Sequence, residues 1–145
     1  MAITQALANS FKKQLLDGDH SFASGSDVYK IALYTSSATL NSATTSYTTG
    51  NEVGNSGQYS AGGGKLTGNN TSIASGVAIV DFGDRSFTGV TLTARGALIY
   101  NTSSTATNAA VAALDFGADK TATSGTFTIQ FPAFTTAAAI LRISG

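Results

Sequence analysis

From Asp27 onward the apolar residues recur at every second position, and this alternation restricts the chain more than any other feature. In "VYKIALYT", Tyr29, Ile31 and Leu33 fall on one side and Val28, Lys30, Ala32 and Tyr34 on the other, the pattern of a half-buried strand. The second half repeats the signal in "SIASGVAIVDF", "RSFTGVTLTA", "RGALIYNT", "AAVAALDF", "GTFTIQF" and "AAAILRIS", short runs set apart by Gly, Asn or Ser clusters. With the strand after Asp27 these make at least seven strands, enough for two packed sheets. The reading is an all-β chain: a β-sandwich, jelly-roll-like, forming one domain over residues 1–145. A chain of this length buries roughly two-thirds of the surface it exposes when unfolded, so a single core is expected.

Two segments fall outside the alternation. Ile3, Leu7, Phe11 and Leu15 recur at helical spacing, with Lys12, Lys13 and Gln14 on the other side and Gly18 as a stop, which predicts an amphipathic helix over 3–17. Its apolar stripe needs a cover, and the sheet of its own subunit is the expected one. Residues 36–70, rich in Ser, Thr, Asn and Gly, have no regular period and read as a long loop or arm ordered by a partner.

The polarity of the chain comes from hydroxyls and amides, because only 11% of its residues are charged and the formal net charge is zero. Without a basic stripe, nucleic acid and membrane are poor partners. A surface with so little self-repulsion suits a subunit of an assembly. No cysteine is present, which removes disulfides, thiolate metal sites and cysteine nucleophiles. The N-terminal stretch lacks the order of charges and apolar residues found in a signal peptide, and Asn69, Asn70 and Asn101, each in an Asn-x-Ser/Thr triplet, read as loop residues.

Several motifs invite a chemical reading and fail on context. Asp81-Phe82-Gly83 and Asp115-Phe116-Gly117 repeat the magnesium-binding triplet of protein kinases, without the other kinase motifs or the length for that fold. Each ends an apolar run, and each is expected to turn a corner with Phe buried, Gly at positive φ and Asp tying the turn. Around Lys65, "SAGGGKLTG" departs from a phosphate loop at both Tyr59 and Leu66. "DGDHS" at Asp17–Ser21 has Phe22 where a calcium loop needs glycine, and a solvated turn is expected. The single histidine, His20, has no G-x-S-x-G serine to serve. No enzymatic activity, cofactor or metal is expected. Tyr29, Tyr34, Tyr47, Tyr59 and Tyr100 stand among small polar residues, a chemistry for rigid contacts with a protein or sugar, or for half-buried sheet edges.

Taken together, "MAITQALANSFKKQLLDG", "KIALYTSSATLN", "ARGALIYN", "LDFGADK" and "TIQFP" resemble, over most of the chain, a group of small virion structural proteins encoded in the structural gene modules of tailed bacteriophages. The resemblance implies a many-copy component of the virus particle, assembled in the bacterial host cytoplasm. Its partners would be the major capsid protein or other virion proteins, together with copies of itself, a trimer by analogy. Low charge and a long loop favour a capsid decoration or cement role. A tail, neck or fibre component is the alternative, and a carbohydrate-binding module is weakened by the absence of Trp. On this reading the candidate protein contacts are Ile3, Leu7 and Phe11 on the helix, and Tyr47, Tyr59 and Lys65 on the arm.

Overall fold

The alternating runs do build two antiparallel sheets, accompanied by one short helix, in a sandwich-like all-β fold. The structure is a computed structural model, and it describes residues 2–132 and 139–144. In chain order the elements are β1 (Ala6–Leu7), α1 (Asn9–Leu16), β2 (Tyr29–Tyr34), β3 (Gly64–Lys65), β4 (Asn70–Ala74), β5 (Val77–Asp81), β6 (Arg85–Asn101), β7 (Ala109–Ile129) and β8 (Leu141–Ser144). The larger sheet has the order β1-β7-β6-β2-β3 and the smaller β4-β5-β8. Of the expected run "AAAILRIS", Leu141–Ser144 form β8, and its first two alanines lie outside the described residues.

Four of the expected runs fuse into two long strands. "RSFTGVTLTA" and "RGALIYNT" are both β6, and "AAVAALDF" and "GTFTIQF" are both β7, paired from Asn101↔Ala109 to Arg85↔Ile129. Their glycines make bulges where turns were expected. The register jumps between Phe87 and Val90, around Gly89 at φ 64°, and between Ala94 and Gly96, where β7 inserts Phe116–Asp119.

That insertion corrects the reading of the second Asp-Phe-Gly triplet. Asp115, Phe116 and Gly117 lie within a strand: Gly117 has φ 81° and donates its N–H to Asp115 Oδ1 at 2.9 Å, while Phe116 is only half-buried. Arg95 fills the space opposite, 3.9 Å from Asp115 and 3.5 Å from Asp119. The first triplet does turn a corner, between β5 and β6, and Phe82 is 2% exposed. Its Gly83 is absent from the positive-φ residues and is held by its N–H to Thr67 O at 2.7 Å. The two copies share a spelling and not a conformation.

The helix begins later than its apolar period predicts. Ile3 bridges Leu40, and Ala6 and Leu7 pair with Ala113 and Ala112, so residues 3–7 are extended. Strand pairing here outcompetes local helical preference, which is a weak prior against tertiary contacts. The end is as expected: Gly18 at φ 82° follows Asp17 and donates to Leu15 O. Phe11 carries the helix into the core through a chain of rings. It meets Phe22 edge-on at 6.0 Å, Phe22 stacks on Tyr29 at 4.6 Å, and Tyr29 leads to Phe82 and then Phe131. The helix, the larger sheet and the β5–β6 corner thus share one aromatic spine.

The segment 36–70 is irregular, as expected, but it is not a free arm. Leu40, Val53, Tyr59 and Leu66 are buried in the common core. Val53 N–H donates to Leu33 O, and Gly63 approaches β2 so closely that a Cβ would lie 1.8 Å from Ile31 O. The segment is thus anchored on its own sheet at several points along its length.

Candidate functional site: an apolar cleft between helix and small sheet

Pairing in the small sheet places Ile73, Ala78 and Ile143 in one cross-strand row and Thr71, Val80 and Leu141 in the next, both on the same face. Helix α1 faces part of this surface without covering it. A cleft of about 340 Å³ remains between them, floored by Phe11, Leu15, Phe22, Val80 and Leu141. Lys12 and Arg142 also line it, and among the described residues no acidic side chain does. Among the described residues the exposed large hydrophobics are Leu16 at 89%, Ile73 at 73% and Ile143 at 59%. Leu16 and Ile143 line the cleft and Ile73 stands in the row of Ile143. Single exposed apolar residues are ordinary, but a contiguous group beside an apolar groove marks a contact surface.

The candidate contact residues divide between two places. Leu7, half-buried, and Phe11 line the cleft, Phe11 with its ring in the core. Ile3 is buried between Leu40 and Gly96 and so cannot meet another protein in the folded subunit. Tyr59 is fully buried, which removes it as a surface contact, and Tyr47 is half-buried. Lys65 is exposed and stands opposite Lys30 in the β2–β3 pair, away from the cleft residues. Leu16, Ile73 and Ile143 were not among the expected contacts. The doubled leucine at the helix end and the alternation of Leu141 and Ile143 were the available signals.

Tyr47 and Tyr59 belong to a polar hub around Glu52. Tyr47 O–H donates to Oε1 at 2.5 Å, and Tyr59 O–H and Gly62 N–H donate to Oε2, each at 2.7 Å. Leu33 N–H donates to the Tyr59 oxygen at 2.8 Å, Tyr34 O–H donates to Thr48 O, and Tyr100 O–H donates to Gly62 O under the stacked ring of Tyr47. Burial raises all five tyrosines, Tyr100 to about 12. The hydroxyls of Tyr34, Tyr47, Tyr59 and Tyr100 hold the irregular segment on the sheet, that of Tyr29 donates to Ser21 O at 3.0 Å, and none is presented outward.

His20 occupies a second buried polar cluster where a solvated turn was expected. Asn101 Oδ1 accepts Ser103 N–H, so its Nδ2 donates, to Asp27 Oδ2 at 2.8 Å and to His20 Nδ1 at 2.9 Å. His20 Nε2 therefore carries the proton and donates to Gln14 Oε1 at 2.9 Å, tying the loop to helix α1. Phe11 packs 4.9 Å from the imidazole, and burial lowers its pKa, with Asp19 and Asp27 opposing. Among the described residues, no group of three or more His, Asp and Glu converges as metal ligands. Comparison with protein-family models, with curated proteins and with solved structures found no match for this chain.

Proposed function

We propose that this chain is a non-enzymatic structural subunit of a tailed-bacteriophage particle, a decoration or cement protein that stabilises contacts between major capsid subunits. The observation that supports it most is the apolar cleft, with Leu16, Ile73 and Ile143 exposed around it on a chain of zero net charge. Such a surface gains from being covered by another subunit, roughly 25 cal/mol for each Å² of apolar area removed from water. The type of particle comes from the resemblance of the segments quoted above. On this reading the protein is assembled in the bacterial cytoplasm and resides in the virion. The cleft takes over the role expected of the 36–70 arm, which is anchored on its own sheet.

A tail, neck or fibre position is the second reading, because ring-forming subunits also need low charge and an apolar contact. A sugar-binding role is less supported: all five tyrosine hydroxyls donate within the subunit, and Trp is absent. Copy number in purified particles, by quantitative mass spectrometry and imaging, tests the proposal. Hundreds of copies over the shell support the cement role. A few dozen at one vertex would favour the tail or neck, and absence from particles would overturn the virion reading. Leu16→Lys should lower incorporation while leaving the fold intact, because Leu16 is exposed in the free subunit.

A further inference from the structure

We propose that β4 is a self-pairing edge, along which two copies of this chain join antiparallel about a two-fold axis at Ser72. An edge strand offers a row of unpaired N–H and C=O groups, and proteins usually guard it with charge, proline, a bulge or a covering loop. This chain guards its other long edges. Along the outer rim of β6, Gln58 N–H donates to Thr88 O at 3.1 Å, Gln58 Oε1 accepts Thr88 N–H at 3.0 Å, and Ser56 Oγ accepts Thr91 N–H at 2.8 Å. Strand β7 is interrupted by the Phe116–Asp119 bulge beside Lys120, and β8 carries Arg142.

Among the described residues, β4 has none of these devices. Among the described residues it pairs only with β5, in unbroken register from Asn70↔Asp81 to Ala74↔Val77. Its sequence, Asn-Thr-Ser-Ile-Ala, holds no charge and no proline, and all five residues are exposed. A tight turn at Ser75 and Gly76, both at positive φ, keeps the strand straight against β5 up to its last residue.

A second copy fits this edge by charge and by continuity. Centred on Ser72, the two-fold sets Thr71 opposite Ile73 of the second copy and Asn70 opposite its Ala74, so no like charges face each other at the seam. Asp81 and Arg142 lie one and two strands away from it. The exposed row Ile73, Ala78, Ile143 then runs on into the row Thr71, Val80, Leu141 of the second copy, which borders that copy's cleft. The apolar stripe becomes continuous across both subunits, and Ile73 loses water from its open flank. This self-association stands independently of the virion role: either can hold without the other.

Sedimentation equilibrium of the full chain over about 1 µM to 1 mM spans the dissociation constants of weak and moderate dimers. A reversible monomer–dimer equilibrium is expected. Ser72→Lys sets two like charges opposite each other across the axis, and Ile73→Lys places one from each copy at the seam, opposite Thr71; each should raise the dissociation constant at least about tenfold. Both positions are exposed, so the far-ultraviolet circular dichroism should be unchanged. Amide exchange within Asn70–Ala74 of the unaltered chain should slow as concentration rises, a readout that needs no variant. A monomer throughout the range, a trimer, a dimer indifferent to both substitutions, or exchange in β4 independent of concentration would each overturn the proposal.

Discussion

Tyr59 and Glu52 hold the irregular segment 36–70 in place: the tyrosine donates to Glu52 Oε2 at 2.7 Å while its oxygen accepts Leu33 N–H from near the end of β2. One hydroxyl therefore joins a loop carboxylate to a strand. Tyr59→Phe keeps the ring against Phe87, 5.1 Å away, and removes only the oxygen. Leaving a buried strand N–H unpaired costs about 1–3 kcal/mol, and the denaturation midpoint should fall accordingly without a change of fold. Deleting residues 47–64 removes this hub and uncovers Tyr34 and Tyr100, so the remainder should not fold, as near-ultraviolet circular dichroism would report. A folded deletion product would show the segment to be dispensable.

The tyrosines also set an alkaline limit. Every one has its pKa raised in the folded state, first by burial, so the stabilisation they contribute is complete below the unfolded value of about 10 and is lost as pH rises above it. Absorbance at the tyrosinate band should stay low well above pH 10 and then rise together with unfolding. Independent titration of several tyrosines near pH 10 would contradict the buried arrangement.

On the acid side the sign reverses. The pKa of His20 is lowered in the fold, so the unfolded chain binds more protons and stability falls as pH drops below about 6.5 toward the folded value. Protonated Nδ1 would face the Asn101 amide, a donor against a donor. His20→Gln should therefore flatten the dependence of stability on pH between about 7.5 and 5.5, compared by urea denaturation at each pH. An identical slope in both proteins would remove His20 from this role.

The two Asp-Phe-Gly triplets predict unequal losses. Phe82 sits within the aromatic spine and Phe116 is half-buried on the bulge beside Phe127. Phe82→Ala should cost about 3–5 kcal/mol and Phe116→Ala clearly less, measured by chemical denaturation. Equal costs would mean that the bulge is as much a part of the core as the corner.

Alternation of apolar residues was enough to read β2, β5, the two halves of β6 and of β7, and the all-β class. It could not distinguish a turn from a bulge, because Gly89 and Gly117 supply positive φ to either, and only a partner strand far along the chain decides which forms. The start of α1 was hidden for a similar reason, since Ile3 and Leu7 satisfy a helical period and an extended pairing with Leu40 and Ala112 equally well. Of the cleft, Phe11 and Leu7 were legible as apolar positions. The exposure of Leu16, Ile73 and Ile143 was not, because it depends on how far the helix and the small sheet stand apart after folding.

The pairing of Ala6 and Leu7 with Ala113 and Ala112 sets an order on synthesis. Helix α1 leaves the ribosome before the strand that receives its neighbours. Until β7 emerges, Ala6 and Leu7 have no strand to pair with, and the helix that follows them lacks that anchor on the larger sheet. Even in the finished subunit the described residues of the helix and the small sheet leave a cleft open between them.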